Sequence, residues 1–360
     1  MKMKIGTAFC DYDNYHAFSI LDNMENISKY HYFDKPAWRK GVEWDRKRSN
    51  KIHFFSLKPW LDIYNSDYVI FWGVFSPFPL FFIYFIFSVL CRKKTIICSE
   101  GFKNKKNELI KRFLSNVVRR LDQSLIYILC IGNNSNKDYF SIGFESANYL
   151  KFGFFEKYEQ SSNTIDINDK YNNINNRPLK ILFVGQLVQR KGILDVIKNF
   201  DSLDRKVVVD IAGNGDLKQS IASLAEEIRS NVEIVMHGHC THEELSVLYR
   251  SADVFLLPSF YEGWGVVVNQ AIHYQLPIIL SSKVRSGRAF LFENNGCIFN
   301  DFDEVNHFIE NIDEHELLTM ANKSYQLSKL WNVDFAASRL VEFLNTGTTF
   351  SDGPLSSYKV

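Results

Sequence analysis

The stretch SADVFLLPSFYEGWGVVVNQAIHYQLPIIL, Ser251 to Leu280, carries the pattern that decides the fold. An apolar strand ends at Pro258, a loop with a single acid among glycines follows, and a helix begins near Val267. A second short apolar strand comes after the helix. Since an ordinary turn needs neither an acid nor two glycines, we expect the loop around Glu262 to hold a ligand.

Strands and helices alternate before this stretch as well. Three segments have the composition of buried strands: LKILFVG from Leu179, KVVVDIAG from Lys206 and VEIVMHG from Val232. Apolar residues at helical spacing follow the first two strands, namely Ile193, Leu194, Ile197 and Phe200, and then Leu217, Ile221, Leu224 and Ile228. Thr241 and Glu244 predict a capping box at the start of a further helix. This alternation predicts a parallel sheet wound on both faces, with the ligand crevice at the carboxyl ends of its strands.

The N-terminal half is also α/β, although its pattern is less regular. Strands are predicted at Lys4 to Cys10, Ser66 to Trp72 and Lys94 to Ser99, and a helix at Asn107 to Gln123. Residues 25–60 show no clear period, and the Asn- and Ser-rich segment before Pro178 predicts a surface linker. We therefore expect domains at residues 1–160 and 179–344, a linker at 161–178 and a tail at 345–360, with a final helix that could return to the first domain.

The net charge of +1 conceals an uneven distribution along the chain. Residues 1–160 contain 24 Lys and Arg against 16 Asp and Glu, a balance of +8, whereas the rest contains 18 against 25, a balance of −7. Clusters at Arg92 to Lys94 and Lys103 to Lys111 suit an anionic membrane surface or a phosphorylated substrate, and we expect no nucleic acid partner. The alternative is a solvated basic surface.

An uncharged run of 24 residues, Tyr68 to Cys91, is long enough for a membrane-spanning helix. However, Gly73, Pro77 and Pro79 interrupt it, and its aromatic and β-branched start fits a buried strand. We therefore predict a strand, a loop and a helix that begins near Pro79, with phenylalanine surface able to rest on a membrane. The spanning helix is the alternative.

Neither cysteines nor histidines form a recognisable site. The six cysteines lack the spacing of a zinc site or a redox pair, and the histidines show no metal-ligand spacing. The N-terminus MKMKIGTAFC lacks the apolar core of a signal peptide. These features predict a cytoplasmic protein with reduced thiols and no metal site.

Two glycine-containing loops follow predicted strands. In VGQLVQRKG, Gly185 comes directly after a strand, and Arg190 and Lys191 precede a helix, an arrangement that suits a diphosphate. An ordinary basic loop is the alternative. In AGNGDL, Gly213 and Gly215 are equally compatible with a simple turn.

Taken together, these residues resemble the retaining glycosyltransferases of family 4. That family has the GT-B fold, in which two Rossmann-like, doubly wound parallel-sheet domains face a central cleft, and the signature PS…EGFG…EA…G.P.I. The corresponding elements occur here in the same order: Gly185, Lys191-Gly192, Gly213, Gly215, Gly238 and LYRSADVFLLPS with the loop that follows it. The match covers roughly residues 180–300, and the first half agrees in its strand and helix pattern and its size.

The resemblance implies roles for the residues of these loops. Glu262 would accept hydrogen bonds from the donor sugar, and Arg190 and Lys191 would stabilise the leaving nucleoside diphosphate. A structural loop acid is the alternative for Glu262. Backbone N–H groups around Trp264 would contact sugar and phosphate, and the residues after Gly238 would lie near the base. The donor-side candidates are Gly185, Gln186, Gly213, Gly215, His239, Cys240, Gly263, Trp264, Gly265, Val266 and Gln270.

Two positions depart from the family pattern. The family's second glutamate, eight positions after the first, is Gln270 here, and the arginine of its GRL motif is Gln186. An amide at position 270 can still hydrogen-bond the nucleotide ribose, although without a charge-assisted contact. Arg190 is a candidate replacement for the missing arginine.

Three acids of the first domain are candidates for the acceptor side of the site. Glu100 ends a predicted strand, and Asp11 and Asp13 follow the first strand. A plain surface acid is the alternative for each of them.

From the resemblance we expect a retaining hexosyl transfer from a nucleotide-sugar donor to a lipid-linked or oligosaccharide acceptor. The expected pathway is surface polysaccharide assembly, of the O-antigen, lipopolysaccharide or capsule type, at the inner face of the cytoplasmic membrane. Members of the family generally need no metal or cofactor, because side chains and helix ends stabilise the leaving group. Two alternatives are a degenerate GT-B domain that binds sugar nucleotide or glycan without turnover, and a nucleotide-sugar epimerase.

Overall fold

The computed structural model describes residues 5–10, 20, 21, 24, 27–32, 49–51, 56–73, 79–101, 108–132, 134–155, 167–228, 231–286 and 292–358. The chain forms two compact units, one of Met1–Lys157 with Asn332–Val360 and one of Tyr158–Trp331. Each unit is built on a parallel β-sheet, so the predicted α/β class is confirmed for both.

The elements of the described residues are numbered in chain order. The strands are β1 (Gly6–Cys10), β2 (Ile27–Tyr32), β3 (Ser49–Lys51), β4 (Tyr68–Trp72), β5 (Lys94–Ser99), β6 (Ile126–Ile131), β7 (Asn148–Phe152), β8 (Leu179–Val184), β9 (Val207–Ala212), β10 (Val232–Gly238), β11 (Val254–Leu257), β12 (Ile278–Ser281) and β13 (Gly296–Phe299). The α-helices are α1 (Lys58–Asn65), α2 (Pro79–Leu90), α3 (Glu108–Val118), α4 (Ser135–Phe140), α5 (Ile167–Tyr171), α6 (Ile193–Asn199), α7 (Lys218–Glu227), α8 (His242–Ser251), α9 (Val266–His273), α10 (Phe302–Asn311), α11 (Glu314–Leu330) and α12 (Val333–Thr346).

Both sheets reverse their direction of winding after the third strand. The strand order is β3-β2-β1-β4-β5-β6-β7 in the first unit and β10-β9-β8-β11-β12-β13 in the second. In the second unit, β8 pairs in parallel with β9 on one side and with β11 on the other. Loops that leave the carboxyl ends of two such central strands run in opposite directions and open a crevice between them. The second sheet therefore has its crevice between the loops after β8 and β11.

The elements predicted around the quoted stretch are confirmed. The five predicted strands are β8 to β12, and helix α9 begins one residue before the predicted position, at Val266. The predicted capping box opens α8: the Glu244 N–H donates to the Thr241 hydroxyl at 3.3 Å, and the Thr241 N–H donates to the Glu244 carboxylate at 2.8 Å. Strand β13 and helices α10 and α11 extend the unit beyond the predicted elements.

The apolar run from Tyr68 to Cys91 divides as predicted into a strand and a helix. Strand β4 is buried along its whole length, and α2 begins at Pro79. Residues 74–78, the predicted loop, lie outside the described residues. No helix in the described ranges combines the length and apolar character that crossing a membrane requires.

Residues 25–60, which had no clear period, contribute β2, β3 and the start of α1. One long-range contact fixes this region to the core of the first unit. The His31 imidazole lies 3.0 Å from the Asp62 carboxylate, and both side chains are buried. A partner 31 residues away cannot be read from local sequence.

The segment 161–178, predicted as a linker, is described from residue 167 onward. There Tyr171 and Ile174 are buried in the second unit. The Tyr171 hydroxyl donates to the Asp253 carbonyl at 3.0 Å, and Arg177 donates two hydrogen bonds to the Asp253 carboxylate, at 2.7 and 2.8 Å. This part of the segment is therefore packed on the second unit instead of lying in solvent.

The final helix and the tail belong to the first unit, so the second unit ends at Trp331. The Lys94 ammonium donates to the Phe343 carbonyl of α12 at 3.0 Å and lies 3.6 Å from the centroid of the Phe343 ring. Further on, the Lys151 N–H of β7 donates to the Ser356 carbonyl at 2.8 Å, and the Leu355 N–H donates to the Lys151 carbonyl at 2.7 Å. The tail thereby covers part of an edge strand that would otherwise present unpaired backbone groups.

Candidate functional site

The candidate site lies where the winding of the second sheet reverses. Strands β8 and β11 pair directly, so their carboxyl ends lie side by side. The loop from Gly185 to Gly192 leaves β8, and the loop from Pro258 to Gly265 leaves β11. The two loops that the sequence singled out are therefore neighbours in the fold, although about 70 residues separate them in the chain.

Gly192 allows these loops to touch. Its φ of +68° is in the left-handed region that favours glycine, and a Cβ at this position would overlap with the Pro258 carbonyl oxygen. Beside it, the Phe260 N–H donates to the Arg190 carbonyl at 2.9 Å. The backbone of one loop is thus fixed to the backbone of the other, which brings positions 190, 191 and 262 together.

The three side chains predicted to carry the chemistry form one charged group. The Lys191 ammonium donates to Oε2 of Glu262 at 2.5 Å, and Nη1 of Arg190 donates to the same oxygen at 3.0 Å and to the Tyr261 carbonyl at 2.7 Å. The side chains of Lys191 and Glu262 are 11% and 15% exposed, whereas Arg190 is 43% exposed. Two cations thus share one carboxylate, and the group keeps an excess positive charge in a partly water-excluded place, where its field is stronger than in water.

The contacts within this group leave particular atoms available to a ligand. Both cations use Oε2 of Glu262, and no donor among the described residues reaches Oε1. In its contacts with described residues, Arg190 uses only Nη1, which leaves the N–H groups of Nε and Nη2, and Lys191 uses one of its three. The group can therefore accept a hydrogen bond from a hydroxyl through Oε1 while it donates several to an anion.

We expect Gly192→Ala to destabilise the second unit and to weaken any ligand binding at these loops. An alanine in this left-handed conformation would be strained by about 1–2 kcal/mol, and its Cβ would overlap with the Pro258 carbonyl. Gly347→Ala is the matched control, since Gly347 has a φ of +81° but nothing within 4 Å of a Cβ. Urea unfolding of both variants should show a larger decrease in the free energy of unfolding for Gly192→Ala. Equal decreases would mean that Gly192 and Pro258 are not in close contact.

The predicted donor-side glycines at neighbouring strand ends have a structural explanation of their own. The Gly185 N–H donates to the Ala212 carbonyl at 2.9 Å, and the Gly213 N–H donates to the Gly238 carbonyl at 2.6 Å. A Cβ on Gly213 would overlap with the Gly185 carbonyl, and one on Gly215 with the Leu187 carbonyl. Close backbone contact between the loops requires glycine at positions 213 and 215 whether or not a ligand is bound, whereas a Cβ on Gly185 would come near side-chain atoms only. The roles of all three glycines in donor binding stay predictions.

Trp264 anchors the acidic loop to the core. Its side chain is 1% exposed, and its indole N–H donates to the Asn269 side-chain oxygen at 2.7 Å. The Ser286 hydroxyl donates to the Trp264 carbonyl, and Gly265, with a φ of +83°, is the N-cap residue directly before α9. The contribution of Trp264 that the structure reveals is to hold Gly263, Gly265 and the start of the helix in place. Contacts of Val266 and of these backbone N–H groups with a donor remain predictions.

The two glutamines that depart from the family pattern have different surroundings. Gln186 is exposed on the loop after β8. Gln270 lies on α9, where the Tyr249 hydroxyl donates to its Oε1 at 2.8 Å. Tyr249 is a residue that sequence analysis missed. The segment LYRSADVFLLPS does not by itself indicate that Tyr249 contacts Gln270, because Gln270 lies on the next helix along the chain, α9.

His239 and Cys240 follow β10, the edge strand of the second sheet. His239 is exposed, and Cys240 is half-buried. Burial, and secondly the carboxylate of Glu244, raise the pKa of the Cys240 thiol above its usual value. A protonated thiol is a poor nucleophile, so the structure favours a contact role for Cys240 over a covalent one.

The acceptor-side candidates belong to the first unit. Glu100 directly follows β5 at the carboxyl edge of the first sheet and is half-buried. Asp11 and Asp13 lie outside the described residues. In the part of the chain that is described, no group of three or more His, Cys, Asp or Glu side chains is placed to hold a metal ion. The metal requirement stays a prediction.

A cavity of about 420 Å³ lies at the opposite, amino-terminal edge of the second sheet, away from the candidate site. Lys170, Arg177, Arg250 and Asp253 contribute to its walls. Burial lowers the pKa of Lys170 to about 8, although Asp253 partly offsets that effect. Since Arg177 and Asp253 form an ion pair with two hydrogen bonds, we interpret this cavity as the surroundings of that structural pair.

Two parallel sheets with Rossmann-like strand order, the second with this charged group at its switch point, define an α/β protein of the GT-B class. Residues 164–327 match the family model described as Glycosyl transferases group 1. Nearly the whole second unit, Tyr158–Trp331, is thus similar to a glycosyl transferases group 1 domain, in agreement with the resemblance found in the sequence.

Curated relatives are similar to part of the chain. An uncharacterised glycosyltransferase of Methanocaldococcus jannaschii is 28% identical over 182 residues, which are 49% of this chain and 44% of the relative. The capsular polysaccharide biosynthesis glycosyltransferase CapM of Staphylococcus aureus is 25% identical over 218 residues, 59% of this chain and 56% of CapM. The matches thus span about half the length of these relatives.

Solved structures share the fold over nearly the whole chain. Alr3699/HepE of Anabaena, in complex with UDP, superposes with a TM-score of 0.68 at 13% identity, covering 95% of this chain and 100% of that one. WaaG, a glycosyltransferase involved in lipopolysaccharide biosynthesis, superposes with a TM-score of 0.60 at 16% identity, with the same coverage. At these identities the likeness shows the fold alone, and the predicted GT-B fold is confirmed.

Proposed function

We propose that this chain is a retaining glycosyltransferase that moves a hexosyl group from a nucleotide-sugar donor to a lipid-linked or oligosaccharide acceptor in surface polysaccharide assembly. The observation that carries the proposal is the charged group of Arg190, Lys191 and Glu262 at the switch point of the second sheet. The names of CapM and WaaG support the pathway, and the UDP complex of HepE supports a nucleotide donor. O-antigen, capsule and lipopolysaccharide assembly are the candidate pathways.

The cations and the carboxylate of the charged group can bind different parts of an activated sugar. Lys191 and Arg190 can donate further N–H groups to a diphosphate, and Oε1 of Glu262 can accept a hydrogen bond from a sugar hydroxyl. Glu262 also holds the buried Lys191 side chain in position before the ligand arrives, because an unpaired buried ammonium is costly. Donors that are already in place stabilise developing charge without reorganisation.

The proposed reaction breaks the bond between the anomeric carbon and the diphosphate oxygen. The electron pair goes to that oxygen, whose growing negative charge Arg190 and Lys191 stabilise. The acceptor hydroxyl forms the new bond on the same face of the sugar, and its proton passes to the departing phosphate. Two protein cations can supply the stabilisation that a metal supplies elsewhere. We place the reaction on the cytoplasmic side of the membrane.

Turnover without an acceptor tests the proposal. The chain is incubated with a panel of nucleotide sugars, and the products are followed by proton NMR, which reports the anomer first released. Slow hydrolysis to a nucleoside diphosphate, with the donor's anomeric configuration retained, supports a retaining transferase. Binding without any turnover supports a degenerate domain, and conversion to an epimeric nucleotide sugar supports an epimerase. Repeating the assay with a chelator tests the metal requirement.

We expect Lys191→Met to weaken nucleoside diphosphate binding roughly 10- to 100-fold, because a hydrogen bond to a charged group contributes about 1.5–3 kcal/mol. Methionine keeps the buried apolar stem and removes the ammonium. Lys180→Met is the matched control, since Lys180 is an exposed lysine near the opposite end of the same strand, β8. Calorimetric titration should show wild-type affinity for the control. Unchanged affinity of Lys191→Met would remove Lys191 from the site.

A further inference from the structure

One helix of the first unit lacks a polar outer side. Helix α2, PLFFIYFIFSVL, contains no charged residue. Phe81, Tyr84 and Phe85 are fully buried against the sheet, whereas Ile83 and Leu90 on the outer side are 47% and 68% exposed. A surface helix of a globular domain normally presents polar residues outward. The outer side of α2 is therefore unusual for a surface in contact with water alone.

The neighbouring helix α1 presents a second set of exposed apolar residues. Leu57, at the start of the helix, Leu61 and Tyr64 are 74%, 58% and 65% exposed. Their spacing places all three on one face, opposite the buried Pro59. Three large apolar side chains on the solvent side of one helix are not explained by packing within the unit.

The two helices form one continuous layer. The Trp60 ring of α1 packs against the Tyr84 and Phe87 rings of α2, with centroids 4.7 and 4.9 Å apart. Beyond the end of α2, the Lys93 ammonium lies 5.6 Å from the centroid of the Tyr64 ring. The exposed residues therefore belong to one surface, the apolar face, defined by Leu57, Leu61, Tyr64, Ile83 and Leu90.

Cations border the apolar face. Lys58 is exposed on α1, and Arg92 and Lys93 follow α2 directly. The Arg92 side chain is 80% exposed, and its nearest acid, Asp122, lies 3.8 Å away. The first 160 residues as a whole carry a balance of +8. An apolar surface with a basic border is complementary to anionic lipid headgroups over an acyl layer.

We propose that the apolar face docks the first unit on an anionic lipid bilayer. The leucines and Tyr64 would enter the boundary between headgroups and acyl chains, while Lys58, Arg92 and Lys93 meet lipid phosphates. Helix α2, with 12 residues, is about 18 Å long, too short to cross a hydrocarbon core of about 30 Å. A second copy of the chain fits less well, because a symmetric dimer would bring the same cations together. This proposal does not depend on the proposed glycosyl transfer.

Vesicle co-sedimentation tests the proposal. The full chain is mixed with phosphatidylcholine vesicles, with and without phosphatidylglycerol, at low and high salt. We expect binding to the anionic vesicles that weakens with salt. A Leu57→Ser and Leu61→Ser double variant should bind at least roughly tenfold less, and an Arg92→Glu and Lys93→Glu double variant should lose the preference for anionic lipid.

The control is Val247→Ser, which removes a 63% exposed apolar residue from the second unit and should bind vesicles like the wild type. Nucleoside diphosphate affinity, measured on the same samples, should be unchanged in every variant, which separates this proposal from the proposed function. Absence of vesicle binding, or wild-type binding by the leucine variant, would overturn the proposal. So would a monomer–dimer equilibrium that the leucine variant abolishes, since that would assign the face to a second copy.

Discussion

Glu262→Gln should lower donor turnover by about two to three orders of magnitude while the second unit stays folded. Glutamine preserves the size of the side chain and an acceptor oxygen, but it removes the charge that holds Lys191 and Arg190 together. It also replaces one carboxylate oxygen by a donor, so the acceptor for a sugar hydroxyl at Oε1 and the counter-charge at Oε2 cannot both persist. The measurement is the rate of nucleotide-sugar hydrolysis at saturating donor, with circular dichroism to check the fold.

Asp195→Asn is the matched control for this variant. Asp195 lies four residues from Lys191, and its carboxylate accepts from the exposed Gln189 amide at 3.0 Å, not from either cation. The same change from acid to amide should leave turnover within about threefold of wild type, as expected for an exposed surface contact. Near-normal turnover by Glu262→Gln would refute the assignment of Glu262.

Asp253→Ala should produce the largest loss of stability, about 3–5 kcal/mol in the free energy of unfolding of the second unit. The Asp253 side chain is 1% exposed and accepts two hydrogen bonds from Arg177, at 2.7 and 2.8 Å, and one from the Lys180 N–H at 2.8 Å. Its removal leaves these donors, and the nearby Lys170 ammonium, without a buried counter-charge. Urea unfolding followed by tryptophan fluorescence measures the loss.

Glu145→Ala gives the corresponding control in the first unit. Glu145 pairs with Arg119 at 2.5 Å, but the two side chains are 43% and 54% exposed. An exposed pair of this kind contributes about 0–1 kcal/mol because water screens it. If Asp253→Ala lowers the free energy of unfolding no more than Glu145→Ala does, burial does not determine how much the ion pair of Arg177 and Asp253 stabilises the protein.

The second unit was largely predictable because its local signals agree with one another. Strand β8 contains the continuous apolar run ILFV, residues 181–184, and the pair Thr241 and Glu244 marks a helix start by itself. Strand β13 was missed because GCIF is only four residues long and mostly half-buried, which leaves no apolar run to detect. In the first unit, β3 has three residues and depends on its pairing with β2, which local sequence does not encode.

The site was predictable as a set of residues but not as a geometry. Sequence order places Lys191 and Glu262 after two strands, and parallel-sheet rules place such loops at one edge. That β8 and β11 are direct neighbours, that Gly192 lets Pro258 approach, and that Lys191 bonds directly to Glu262 depend on pairing between distant segments. For the same reason, the contact between Tyr249 and Gln270 had no signal in the sequence.

Thermal denaturation with a panel of nucleosides and nucleoside diphosphates tests most directly whether the loops after β8 and β11 form one diphosphate site. Ligands that bind the native state raise the Tm. We predict that at least one nucleoside diphosphate raises the Tm of the wild type, that its nucleoside does so much less, and that Lys191→Met removes the difference. No rise with any nucleoside diphosphate, or an equal rise in Lys191→Met, would contradict the account.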